Sequence, residues 1–187
     1  MSVTFFYDLE SPYAWLAAER VDDVFDEPVE WVPVLLGGIF KATGRSSLAE
    51  TDARADGIAE IESRISERAL PALELPSPWP GNSLSAMRAA VFAHERGHGR
   101  EFALAAFRRH FTEGAPLEAD GLAAVASQAG LDPDELIEAI RHQDVKDALR
   151  ANTDRALAAG VFGVPTVLVD GEVFWGDDRM DEAAARA

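Results

Sequence analysis

Strand-forming signals occur near the two ends of this chain, and a strand needs a partner for its backbone N–H and C=O groups. Val3 to Tyr7 (VTFFY) is a short β-rich apolar run, and VEWVPVL, from Val29, alternates like a second strand. Between them Pro12 suits the first turn of a helix, YAWLAAERVDDVF continues it, and Pro28 interrupts. This is one βαβ unit. Near the other end, PTVLVDGEVFWG holds two apolar runs flanking Asp170-Gly171, a strong hairpin signal, and a short helix follows from Arg179. The simplest topology therefore brings both ends into one sheet, with Val3–Tyr7 beside Thr166–Val169.

The middle of the chain reads differently. From Gly37, GGIFKATGRSSLAETDARADG is a polar, glycine-containing connection, and LPALELPSPWPGNS is proline-rich loop. Helices follow. Leu84, Met87 and Val91 share one face; Phe102, Ala106, Phe107 and Phe111 form another stripe; Leu117 to Ala129 makes a third helix. In LDPDELIEAIR, Asp132 is an N-cap, Pro133 takes the first helical position and Glu135 closes a capping box. A further helix runs from about Gln143 to Ala159, stopped by Gly160. The expected organisation is one α/β domain built from residues 1–34 and 160–187, with a mainly helical insertion over 35–159.

Composition removes several function classes. The formal net charge of −16 disfavours a nucleic-acid backbone or an anionic membrane as partner. With no cysteine there is no structural disulfide, no Cys-ligated zinc and no dithiol chemistry carried by the protein itself. The N-terminal residues lack a basic segment and a long apolar run, and no stretch approaches the ~20 apolar residues of a membrane span, so a cytoplasmic protein is expected.

Four motifs carry candidate chemistry. Ser11, at the strand-to-helix crossover, reads first as a helix cap, and second as a hydroxyl able to stabilise an anion. It has no G-x-S-x-G elbow that would make it a nucleophile. Val164-Pro165 stands before a strand, where a cis bond would turn the Val164 N–H and C=O outward toward an extended, peptide-like ligand; the plainer reading is a loop proline starting an edge strand. Asp177, Asp178 and Arg179 either cap the last helix or clamp a zwitterion. HERGH, residues 94–98, matches H-E-x-x-H, but Gly97 and Gly99 place a helix end there, and two solvated histidines are the expectation, with no metal site. His110 and His142 have no motif around them.

Taken together, FFYDLESPYAWLA, NSLSAMRAA and GVFGVPTVLVDGEVFWGDDRM resemble the kappa-class glutathione transferases and the 2-hydroxychromene-2-carboxylate isomerases. The likeness runs in order along nearly the whole chain and includes LLGGIFKATG. It implies a thioredoxin-like fold with a large all-helical insertion, related to the DsbA oxidoreductases. It also implies glutathione, or another low-molecular-weight thiol, as cofactor. Ser11 matches the hydroxyl that hydrogen-bonds the cofactor sulfur, Val164 and Pro165 the cis-proline site, and Asp178 and Arg179 the pair near the γ-glutamyl end. The implied isomerase mechanism runs through the cofactor thiolate, which adds to a conjugated carbon of an aromatic-fused substrate and permits ring opening, bond rotation and release. A homodimer acting on a small aromatic-derived substrate is implied, with Pro12, Tyr13, Trp79, Asn82 and Arg88 around the substrate.

The departures are specific. After KATG the family commonly carries asparagine and prolines, whereas here Arg45-Ser46-Ser47 follow, placing a long cation at an expected cofactor contact. Arg54 lies near the position of a basic cofactor-binding residue. Asp177 stands where relatives are often neutral, and would repel a ligand carboxylate unless it faces solvent. DGIAEIESRISERALPALELP lacks the aromatics expected to line a substrate pocket. The competing readings are a kappa-class-like transferase, a non-catalytic thioredoxin-fold binding protein favoured by Arg45, and, distantly, a zinc hydrolase through His94 and His98.

Overall fold

In the computed structural model, which describes residues 2–187, both chain ends enter a single four-stranded sheet. β1 (Val3–Tyr7) pairs in parallel with β2 (Val29–Pro33), Phe5 opposite Trp31. On its other side β1 pairs antiparallel with β3 (Thr166–Val169), Phe5 opposite Val167, and β3 pairs with β4 (Glu172–Trp175). The order is β2-β1-β3-β4. All five residues of β1 are buried, as a central strand covered on both faces requires. The β3–β4 turn places Asp170 at φ 46° and Gly171 at φ 93°, the two positive values that match the twist of a tight hairpin.

The helices are α1 (Pro12–Ala18), α2 (Val21–Val24), α3 (Leu36–Thr43), α4 (Arg54–Glu67), α5 (Leu84–Glu95), α6 (Gly99–Thr112), α7 (Ala119–Gln128), α8 (Pro133–Ala139), α9 (Gln143–Ala158) and α10 (Met180–Ala184), with 3-10 turns at Leu48–Glu50 and Asp177–Arg179. One continuous core joins sheet and helices. The Phe102, Ala106, Phe107 and Phe111 stripe of α6 is fully buried. Phe107 reaches Tyr7 of β1 at 5.9 Å between ring centres, and Phe111 stacks on Trp15 of α1 at 6.0 Å. None of the helices over the described residues is long and apolar enough to cross a membrane.

Two local readings need correction. The segment from Gly37 is not all connection, because α3 forms there despite Gly37 and Gly38. Ile39 is buried, and a Cβ on Gly38 would meet Thr153 Cγ2 of α9 at 3.4 Å, so the glycine allows a close helix–helix approach that outweighs its poor propensity. At α8, Asp132 caps the N–H groups of Asp134 and Glu135 as expected, but the Glu135 carboxylate pairs with Arg96 of the α5–α6 turn and closes no capping box.

Candidate functional site

β1 ends at Tyr7, the chain turns through Asp8, Leu9 and Glu10, and Pro12 opens α1 with φ already suited to a helix. Ser11 is therefore the N-cap. Its Oγ accepts the Ala14 N–H at 3.2 Å, a contact that leaves its own hydroxyl hydrogen unused. Ser11 lines a cleft of about 580 Å³ bounded by the start of α1, α3, α4 and the loop before β3.

Across that cleft lies the Val164-Pro165 peptide, which is cis. The loop is held by Thr166 Oγ1 donating to the Gly163 carbonyl at 2.8 Å and by Gly176 N–H donating to the Pro165 carbonyl at 3.0 Å. Val164 itself exchanges no hydrogen bond with other described residues. A Cβ on Gly163 would meet Trp175 Nε1 at 2.7 Å, so this glycine is what lets the indole lie on the loop. Trp175 is 45% exposed, although every other large hydrophobic side chain among the described residues is better covered, which marks it as a contact platform at the cleft edge.

The cleft's aromatic surface comes from scattered positions. Tyr13, Phe40, Trp79, Phe162 and Trp175 line it, while the segment from Asp56 to Pro76 adds only aliphatic and charged side chains. Arg45 stacks over Phe162 at 4.2 Å, and Arg54 over Trp79 at 5.2 Å. Neither guanidinium has a carboxylate within ion-pair distance among the described residues, although the chain has 33 acidic and 17 basic side chains. Two free cations in so acidic a protein favour an anionic ligand.

Asp177 neither caps a helix nor faces solvent. It is fully buried, taking Arg64 at 2.9 Å and a bidentate Arg68 at 2.9 and 2.6 Å. Its charge is thus neutralised by α4 and does not oppose a ligand carboxylate. The tight 3-10 turn separates three neighbours: Asp177 points inward, Asp178 lines the cleft, and Arg179 turns to the surface, where it pairs with Glu182 at 2.7 Å. Arg179 is not a cleft residue. Nor is Asn82, whose Oδ1 accepts the Leu84 N–H at the start of α5, nor Arg88, which lines a different cavity. Pro12, Tyr13 and Trp79 do line the cleft.

Sequence reasoning missed the groups that hold the site in place. Asp8 is fully buried and accepts from Glu10 N–H, Leu36 N–H and Ser83 Oγ at 2.8–3.0 Å, tying the turn before Ser11 to α3 and α5. Burial pushes its pKa up to about 6, against the pull of those hydrogen bonds. A carboxylate directly after an apolar strand was the available signal. Tyr13 donates to Glu60 at 2.9 Å, and burial together with that bond raises its pKa to about 12, so it remains a neutral donor. Glu10 accepts the Gly81 N–H at 2.9 Å; the buried His110 Nε2 lies 3.1 Å from Glu10 Oε1 but off the line of a hydrogen bond. The HERGH stretch breaks where expected: α5 ends at Glu95, Gly97 turns at φ 79°, and His98 precedes α6, so the histidines do not share a helical turn.

This arrangement has known counterparts. Residues 2–186 match the model of the DSBA-like thioredoxin domain. The chain belongs to that family. Within it, the chain is 27% identical to a 2-hydroxychromene-2-carboxylate isomerase of Sphingobium xenophagum, covering 96% of this chain and 94% of the relative. It is 26% identical to glutathione S-transferase kappa 1 of Rattus norvegicus, covering 94% and 86%. The solved structure of a 2-hydroxychromene-2-carboxylate isomerase superposes with a TM-score of 0.88 at 20% identity, over 99% of this chain and 93% of that one. The fold is therefore the thioredoxin-like DsbA fold, and the relatives are an isomerase and a transferase.

Proposed function

We propose that this protein is a glutathione-dependent isomerase of the 2-hydroxychromene-2-carboxylate type. The observation that carries the reading is a cleft shared by Ser11, with an unused hydroxyl hydrogen, and Val164, with an unpaired backbone, in a chain without cysteine. Those features fit a peptide-like thiol: Val164 would pair with its backbone, Asp178 with its ammonium group, and Arg45 or Arg54 with a carboxylate. When bound, glutathione supplies the thiol that the chain lacks. Ser11 donates a hydrogen bond toward the sulfur and so favours its ionised form. Tyr13, whose hydroxyl hydrogen is taken by Glu60, contributes its ring to the cleft wall beside Ser11. Whichever of Arg45 and Arg54 the thiol leaves free is positioned for the carboxylate of an aromatic substrate lying against Trp79 or Trp175.

Calorimetric titration with glutathione, followed by an absorbance assay of 2-hydroxychromene-2-carboxylate ring isomerisation with and without the thiol, tests this. Binding and thiol-dependent isomerisation are expected. Binding with conjugation of electrophiles but no isomerisation would assign the kappa-class type of reaction to the same cleft, and absence of binding would refute the reading.

A further inference from the structure

α3 separates the Ser11 cleft from a second cavity. At about 100° per residue, Leu36 and Phe40 fall on one face of α3, and Gly38, Lys41 and Ala42 on the other. The first pair lines the Ser11 cleft; the second set lines a cavity of about 640 Å³ closed by the start of α5 and by α9.

The charge of this cavity runs against that of the protein. Lys41, Arg88, Lys146 and Arg150 line it, with Asp154 as the one carboxylate. Lys41 and Lys146 are the only lysines in the sequence. Most of the other arginines are ion-paired, yet none of these four cations has a carboxylate within ion-pair distance among the described residues. Mutual repulsion works against gathering four like charges when acidic side chains are abundant elsewhere on the surface. Independently, Arg88 Nε is buried and lacks a hydrogen-bond partner. A buried charged donor without a partner is costly, and an anion bound in the cavity against the same guanidinium would offset its charge.

The walls narrow the class of ligand. Leu35, Leu84, Leu149 and Leu157 are aliphatic, and no aromatic ring lines the cavity, so it offers no platform for stacking a planar group. We propose that this cavity is a binding site for a small organic polyanion, bearing phosphate or carboxylate groups on an aliphatic body. It is separate from the Ser11 cleft and does not depend on the function assigned there.

Isothermal titration calorimetry at low ionic strength, with pyrophosphate and with citrate as probes, tests the proposal. One saturable binding event is expected. The Lys41→Gln/Lys146→Gln variant, altered at an exposed and a half-buried position, should weaken it about tenfold or more. The Arg45→Gln/Arg54→Gln variant should leave it unchanged. Stronger binding of pyrophosphate would assign phosphate groups to the ligand, and stronger binding of citrate would assign carboxylates. An Arg88→Gln variant, checked by circular dichroism for native helix content, should also weaken binding. The proposal is overturned if neither probe binds in the millimolar range, or if binding survives the lysine changes and is lost with Arg45 and Arg54.

Discussion

Replacing Asp8 with asparagine should change how stability depends on pH more than it changes the fold. Asp8 is fully buried, and its pKa rises from an ordinary 3.8 to about 6 in the folded protein. An acid whose pKa is raised by folding holds its proton longer in the folded state. Its contribution is therefore most favourable below pH 3.8 and is lost as pH rises to about 6. At about 1.4 kcal/mol per pH unit, that gap amounts to about 3 kcal/mol. Asparagine does not titrate, so the loss disappears in Asp8→Asn. Other carboxylates, such as Glu19 and Glu30 with their lowered pKa values, titrate alike in both proteins and cancel in the comparison. Absolute stability at neutral pH should not rise by the same amount. The amide nitrogen cannot accept a hydrogen bond, and Asp8 accepts from three donors, of which only the Ser83 hydroxyl can turn to become an acceptor. Urea unfolding of both proteins from pH 4 to pH 7 gives the test. Wild-type stability minus variant stability should fall by about 2.4 kcal/mol as pH rises across that window, the rest of the gap being lost already below pH 4. A flat difference would mean that Asp8 ionises as it does in water, and that burial does not dominate its environment.

Ser11→Ala should slow turnover by roughly 10- to 100-fold, because a hydrogen bond to a charged group is worth about 1.5–3 kcal/mol. Glutathione affinity, measured by calorimetry, should change less, and full activity would reduce Ser11 to a helix cap. Asp177→Ala should destabilise the fold by about 2–4 kcal/mol in urea unfolding, somewhat below the loss for a deeply buried pair, because Arg64 and Arg68 keep side-chain exposures of 17% and 25%. A loss under about 0.5 kcal/mol, the size of a neutral surface change, would refute that role. Arg45→Gln should weaken glutathione binding about tenfold if its guanidinium meets a ligand carboxylate, and unchanged affinity in the same titration would leave it only stacked on Phe162.

Features set by neighbours a few residues apart were legible in the sequence. The apolar runs of β1 and β3, the Asp170-Gly171 turn, Pro12 at the start of α1, the Asp132 cap and the Gly160 stop each depend on local sterics and hydrogen bonding, and each appears in the structure. Ser11 and Val164-Pro165 were legible for the same reason, since both sit at boundaries between local elements. Features decided by partners far along the chain were not. Asp177 meets Arg64 and Arg68 across 113 and 109 residues, and nothing local distinguishes it among 33 acids as one to be buried. Adjacent residues Asp178 and Arg179 diverge because a 3-10 turn, tied through Asp177 to Arg64 and Arg68, sends one to the cleft and the other to solvent. Arg88 sits one turn after Leu84 on α5, but only the approach of α9 places both in a basic cavity rather than beside Ser11. In α3 tertiary burial overrode local preference, where Ile39 and the contact of Gly38 with α9 hold a helix that two glycines disfavour. Local geometry is written in short-range sterics, whereas the choice among distant partners is made only when the chain packs and each buried charge must find its counter-ion.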